Sequence, residues 1–443
     1  MKITKNTLFR DFLRYVCFNI LSMVGVSCYI LVDTYFIGNG IGANGLTALN
    51  LAIPLFGIQQ AMSFMFSVGC GTKYSILMAQ NRQEEANRLF TNTIVAAAVI
   101  GILFAAVIHI FSEPIVIAMG AKGELIPFTA VYTKTVLTFT PFFILNSILN
   151  LMVKNDLNPR LAMIAMLSGC LGNIILDYVF IYIADLSMFG AALATGASPI
   201  VDMAILSIHK IKKKNRFHLV RIGFSMKQFF TVVKLGMTSA VTELASGIVV
   251  MVFNWAILSI SGNIGVAAYG VIANLAIVVL AIFNGIAQGM QPIISYNYGS
   301  GDVKNTGKVL RYGCVATLVA AIVMYGILWI YASPIVELFN GEHLEELHNI
   351  AVLGVRLYFS GIFFAGFSVV IAMYFNSIED VRKAFIIAVL RGGMVMIPIL
   401  LVLTMVFNLG MKGVWLSFTV SEAIIFFITL FMYKKGAKPL ILK

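Results

Sequence analysis

Twelve apolar stretches, each of about 20 residues or more, run the length of the chain, at approximately 15–37, 46–72, 91–111, 127–153, 161–184, 189–209, 235–260, 266–296, 309–332, 350–374, 384–407 and 413–433. Each is long enough to cross a hydrocarbon core of about 30 Å as a helix. Only 11% of the 443 residues are charged and 60% are apolar, against roughly a quarter charged in a soluble domain. A soluble protein is excluded, and no room is left for an extramembrane domain. The expected fold class is therefore an all-α integral membrane protein of twelve transmembrane helices.

The formal charge of +12 would suggest nucleic acid in a soluble chain, but its placement gives another reading. With the N-terminus in the cytoplasm, 27 Lys and Arg fall on the inside and only Lys122 and Lys412 outside, while Lys134 and Arg356 lie within spans. The inside set includes Lys210 to Lys234 and Arg382, Lys383 and Arg391. This asymmetry places both termini in the cytoplasm by the positive-inside rule. No nucleic-acid partner is implied. Cys17, Cys28, Cys70, Cys170 and Cys314 form no CxxC pair and are expected to be small packing residues rather than disulfides or zinc ligands. The first span is too long for a signal-peptide core and is kept as a membrane helix.

A basic linker, 211–226, divides six spans (1–210) from six (227–443), and the halves repeat. At an offset of 220, Gly45-Leu-Thr-Ala-Leu falls on Gly265-Val-Ala-Ala-Tyr, Gly69 on Gly289, Ser75 on Ser295, and Pro114-Ile-Val on Pro334-Ile-Val. At 222, Lys134 falls on Arg356 and Arg160 on Arg382. At 223, Met188-Phe-Gly-Ala-Ala-Leu falls on Met411-Lys-Gly-Val-Trp-Leu. Six is even, so both halves enter from the same side, and the repeat is parallel, an architecture of secondary transporters that work by rocking one bundle against the other. The acids break the symmetry: Asp33 falls on Phe253 and Asp177 on Ile399.

The chain resembles the multidrug and toxic compound extrusion (MATE) family over its full length. The runs Val32-Asp-Thr-Tyr-Phe-Ile-Gly38, Asn173-Ile-Ile-Leu-Asp177, Gly190-Ala-Ala-Leu-Ala-Thr195 and Gln288-Gly-Met-Gln-Pro-Ile-Ile-Ser-Tyr-Asn-Tyr-Gly299 carry the likeness, and the last resembles the MepA-type branch. The resemblance implies two parallel-repeat six-helix bundles around a central cleft, and an antiporter that exports cationic or amphipathic drugs in exchange for protons or sodium.

Carboxylates at membrane depth are costly to ionise and mark functional sites by default. Asp33 and Asp177 are expected to meet, with Asn173 one turn before Asp177 on the same face. The family pattern adds Tyr132 and Thr195 to this cluster as the coupling-ion site. Sodium could take oxygens from Asp33, Asn173 and Asp177, whereas a proton needs only one carboxyl tuned by the other. Proton coupling is preferred, because the tenth span holds no acid to join Glu243 in a second cation site. Glu243 is then expected to face substrate, with Gln60, Asn150, Asn284 and Gln288, and also Asn146, Asn274 and Gln291, amid 34 Phe and 22 Met suited to planar cations. Asp202 and Glu422 are expected at helix ends or in an interface, and Lys134 and Arg356 as snorkelling residues.

Gly40-x-Gly42-x-x-Gly45 has no strand before it and reads as a turn. The five histidines show no paired metal-ligand spacing, and His209 and His218 are expected to be solvated in the basic loop. No Walker A motif or nucleophile–base set occurs, so neither an enzyme nor a cofactor is expected, and twelve spans suffice for transport as a monomer. The alternative, a lipid-linked precursor flippase, would want a cleft dense in cations, and a channel would want a constriction; the spans offer only Lys134 and Arg356.

Overall fold

The computed structural model describes residues 5–221, 223–340 and 344–436, and these form helices and no strands. In order they are α1 (Lys5–Gly40), α2 (Ala43–Ala79), α3 (Gln83–Ala118), α4 (Leu125–Thr138), α5 (Thr140–Asn155), α6 (Pro159–Asp177), α7 (Ser187–Ile211), α8 (Met226–Gly299), α9 (Val303–Ile330), α10 (Ala332–Glu337), α11 (Glu345–Tyr358), α12 (Ile362–Ser377), α13 (Val381–Val389), α14 (Met396–Leu401) and α15 (Gly410–Gly436).

Among the described residues ten helices are long and apolar enough to cross a membrane, and the pair α4 and α5, bent by 43°, makes an eleventh span. α8, with 74 residues, would extend about 110 Å if straight, several times the hydrocarbon thickness. It is not straight. Gly262, at φ 60° and ψ −151°, interrupts it, and Phe253 stacks on Tyr269 with ring centroids 5.4 Å apart, where a straight helix would separate them by about 24 Å. α8 is thus two spans folded back on each other, and the crossings number twelve.

The repeat seen in the sequence is written into the backbone. Phe111 in α3 (φ −109°, ψ 19°) and Tyr331 between α9 and α10 (φ −101°, ψ 19°) break their helices 220 residues apart. Each stands three residues before a proline, Pro114 or Pro334, whose ring meets the carbonyl four residues back and whose nitrogen has no hydrogen to donate. Left-handed residues recur at Asn81 and Gly301, Leu157 and Glu379, Asp185 and Asn408, and Ser187 and Gly410, tracking the drift in offset from 220 to 223. Asn158 and Asp380, 222 apart, cap α6 and α13 by accepting from Leu161 N and Lys383 N. π-helical turns, Tyr178–Ile183 and Val402–Val406, close the fifth and eleventh spans.

Exposed apolar side chains repeat as well. Val95, Val99, Ile102, Leu103, Val107 and Ile110 form a stripe on α3, and Val315, Val319, Ile322, Val323, Ile327 and Ile330 form its counterpart on α9. Such stripes are foreign to soluble monomers; against lipid they cost nothing.

Two compact units result. One is Leu21–Glu243; the other joins the chain up to Ile20 with the chain from Leu244 onward. Within the first, Gly69 of α2 sits under the Val232 carbonyl of α8, and Gly236 under the Met65 carbonyl. Within the second, Gly285 and Gly289 of α8 lie against the backbone of Ile20 and Val16 in α1. The absent β-carbons are what let these helix backbones touch.

Residues 212–221 and 223–225, between α7 and α8, lie in the first unit and are stitched to its helices. Asn87, Thr91 and Asn92 on one face of α3 accept from the N–H groups of His218 (3.0 Å), Val220 (3.0 Å) and Ser225 (2.9 Å), and Asp156 accepts from Arg216 N (2.6 Å). His209 differs from the sequence expectation. It is 2% exposed in α7 and pairs with Asp156 Oδ2 at 3.3 Å, because α7 continues to Ile211 and keeps this ring on its buried face; His218 is exposed as expected. Arg391, counted above among loop cations, lies inside the eleventh span, where its Nε donates to Glu422 Oε1 at 3.2 Å. Glu422 is therefore a buried ion-pair partner within the second unit. Cys70 and Cys170 are buried packing residues, but Cys17 and Cys28 are exposed on α1.

Candidate functional site

The Leu21–Glu243 unit brings Asp33 (α1), Tyr132 (α4), Asn173 and Asp177 (α6) and Thr195 (α7) into one buried cluster. Asp33 is 7% exposed and Asp177 fully buried. Helical spacing puts Asn173 and Asp177 on one face of α6, the face turned to α7. The Asp33 and Asp177 carboxyls hydrogen-bond to each other. Its neighbours orient the Asn173 amide, so that Nδ2 donates to Asp177 Oδ2 (3.1 Å) and the amide oxygen accepts from Thr195 N (3.2 Å). The Thr195 hydroxyl hydrogen-bonds Tyr132 and donates to the Ala191 carbonyl (3.1 Å). Phe56 packs edge-on to Tyr132 at 5.9 Å, so the phenol is held from both ends. Oδ1 of each aspartate is buried without a hydrogen bond.

Ionised carboxylates only accept hydrogen bonds. Two of them bonded to each other must share at least one proton, and like charges this close do not both ionise. The cluster can thus take up and release a proton, and its two open oxygens are acceptors for whatever enters. Among the described residues no group of three His, Cys, Asp or Glu could hold a metal ion.

The cleft candidates are divided between the units. Gln60 and Glu243 are half-buried in the first. Asn150 in the same unit is buried, and its Nδ2 donates to the Ala162 carbonyl (3.1 Å), so its amide N–H is engaged in joining α5 to α6. Gln288 is half-buried and Asn284 exposed in the second. Asp202, expected near a helix end, instead sits within the first unit, accepting from Asn146 Nδ2 at 2.9 Å. Arg356 is exposed over the Trp329 ring at 5.2 Å. Where the first unit holds acids, the second is apolar: Phe253 is buried in its core. Sequence reasoning passed over Tyr29, one turn before Asp33 on the same face and within electrostatic range of Asp33, Asp177 and Asp202; the i, i+4 relation to Asp33 was the available signal.

The MatE family pattern matches residues 19–179 and 238–402. The two matches start 219 residues apart and end 223 apart, the same drift the repeat shows. Over 95% of this chain and 92% of its own length, a protein of Staphylococcus saprophyticus called multidrug export protein MepA is 25% identical; the protein of that name from Staphylococcus haemolyticus is 27% identical over 91% and 88%. A solved outward-facing multidrug resistance MATE transporter superposes with a TM-score of 0.92 at 19% identity, covering 98% of both chains. A transporter of the MOP superfamily from Pyrococcus furiosus superposes with a TM-score of 0.91, also at 19% identity and 98% of both chains. At that identity the superpositions speak for the fold, and the repeated family match speaks for descent: the chain is a multi-pass, all-α membrane protein that belongs to the MatE family of transporters.

Proposed function

We propose that this protein exports cationic or amphipathic small molecules across the cell membrane in exchange for protons, by alternating access, with both termini in the cytoplasm and the Asp33–Asp177 pair as the coupling site. The observation that carries the reading is the direct hydrogen bond between the two buried carboxyls, an arrangement whose geometry depends on how many protons it holds. Full protonation removes the repulsion between the acids, and loss of the shared proton restores it. Asn173, Thr195 and Tyr132 extend the pair to α4 and α7, so proton occupancy sets how four helices are held together. The relatives' names, multidrug export protein, support drug export.

The test is dye transport by the full-length protein in liposomes under a proton gradient or a sodium gradient, for the wild type, Asp33→Asn and Asp177→Asn. Transport is expected under the proton gradient alone, falling by roughly 100-fold in each variant. Transport driven by sodium alone, or variants as fast as wild type, would overturn the reading.

A further inference from the structure

A cavity of about 380 Å³ opens in the Leu21–Glu243 unit between α3 and the start of α8, lined among the described residues by Arg88, Gly223, Ser225 and Gln228. Hydrogen bonds fix its walls. Asn92, one turn after Arg88 on α3, accepts from Ser225 N (2.9 Å) and donates to the Ser225 carbonyl (2.8 Å). The Ser225 hydroxyl accepts from Gln228 N (3.5 Å) and keeps its own proton to donate. Arg88 is exposed, and no hydrogen bond or ion pair among the described residues engages it. Of the acids at the start of α3, Glu85 is held by Arg82 Nε (2.8 Å) and Glu84 is exposed. Gln228 Oε1 is buried without a hydrogen-bond partner, and an amide in that state can turn its N–H end to an incoming acceptor.

The surroundings are those of a membrane surface. Val95, Val99 and Ile102, exposed on α3, stand seven, eleven and fourteen residues after Arg88, spacings that return to one helix face. Arg88 therefore lies about 10 Å before the first valine of the lipid-facing stripe, at the depth of the headgroups. Phe224, Met226 and Phe230 are exposed next to the cavity in sequence, as are Arg221 and Lys227, a mixture of apolar and cationic side chains that suits the membrane–water interface. By the repeat Arg88 falls on Lys308, seven residues before Val315 at the foot of the matching stripe on α9. That cation is engaged: Lys308 Nζ donates to Asn305 Oδ1 (3.1 Å), and Asn305 donates to Asp302 (2.7 Å).

We propose that this cavity binds the phosphate of an anionic phospholipid, with Arg88, Ser225 and Gln228 as donors and the acyl chains lying along the α3 stripe. A guanidinium fork meets two phosphate oxygens at once, and the hydroxyl and amide reach the others. The occupant is a lipid rather than a dissolved anion because charge and apolar surface are continuous here, with the free cation at the end of the stripe that the chains cover. The bound headgroup joins α3 to the first turn of α8 and so reinforces the closure that Asn92 makes. The inference depends neither on the coupling ion nor on which side of the membrane the linker lies.

The experiment titrates full-length protein in detergent with phosphatidylglycerol or phosphatidylcholine and counts the phospholipids retained per protein by native mass spectrometry. Phosphatidylglycerol is expected to bind more tightly than phosphatidylcholine and to raise the melting temperature. Arg88→Ala is expected to weaken its binding at least about tenfold, as loss of a charge-assisted hydrogen bond does, and to abolish the melting shift. Gln228→Leu is expected to weaken binding as well. Lys308→Ala, which removes the same charge at the equivalent position of the repeat, is expected to leave binding unchanged. Equal affinity for the two lipids, or equal losses in Arg88→Ala and Lys308→Ala, would mean attraction by net charge alone and overturns the proposal. Displacement of phosphatidylglycerol by an equal concentration of inorganic phosphate would mean a site for dissolved anions and overturns it too. Should Arg88→Ala not fold, unchanged binding in both Arg88→Gln and Gln228→Leu has the same force.

Discussion

Gly69 and Gly289 hold the same position in the two units: Gly69 lies beneath the backbone of Val232, and Gly289 beneath that of Val16. Neither neighbour is a side chain that could swing aside. Gly69→Ala and Gly289→Ala are therefore each expected to destabilise the protein by about 1–3 kcal/mol, as overpacking does. Gly57→Ala, where nothing lies within 4 Å, should be neutral or gain about 0.5–1 kcal/mol from helix propensity. Thermal denaturation in detergent distinguishes the two kinds of glycine.

Asn173 is the one amide bridging α6 and α7 within the aspartate cluster. Asn173→Leu leaves Asp177 Oδ2 without its 3.1 Å donor, a loss of about 1–3 kcal/mol for a buried acceptor. The same variant should change the pH profile of transport, because the pair loses a group that favours its ionised form. A lowered melting temperature with an unaltered pH profile would mean that Asn173 only joins helices.

The linker is held by side chains, so its release can be watched by proteolysis. Asp156→Ala removes the acceptor of Arg216 N at 2.6 Å and the partner of His209. A hydrogen bond to a charged group is worth about 1.5–3 kcal/mol, and opening that precedes cleavage follows the equilibrium. Trypsin should therefore cut after Lys212, Lys213, Lys214 or Arg216 at least about tenfold faster than in wild type. Asn92→Ala, which removes the acceptor of Ser225 N and one of the two donors to its carbonyl, should act in the same direction.

Arg391 and Glu422 are an ion pair within the second unit, with Glu422 2% exposed and Arg391 half-buried. Arg391→Met alone strands the carboxylate and should destabilise by about 3–5 kcal/mol. The double variant Arg391→Met with Glu422→Leu should recover most of that loss, since an apolar pair of similar volume often equals a buried ion pair. A double-mutant cycle on melting temperature measures the coupling, and proton-driven transport should survive in the double variant.

The features legible in the sequence were those whose cause is local. Pro114 and Pro334 fix their breaks within one turn, and the spacing of Asn173 and Asp177 sets a shared face. The pairing of Asp33 with Asp177 was legible through the family pattern and the scarcity of buried acids. What was not legible depends on partners far along the chain. The histidine at 209 looked like part of a basic loop because its acid, Asp156, lies 53 residues earlier. Arg391 looked like a loop cation because Glu422 sits on another helix. Tyr29 looked like any aromatic on an apolar helix, although it stands one turn before Asp33 on the same face.

The chain passes between its units inside α1, at Ile20–Leu21, and inside α8, at Glu243–Leu244, and the linker is not one of those passages. A cut at residues 212–225 would yield two fragments, each of which contributes a half-helix to the bundle built mainly by the other. A gene split at the linker would thus encode two polypeptides, each carrying the end of a helix that belongs to the other's bundle, so that neither bundle is encoded whole by one of them.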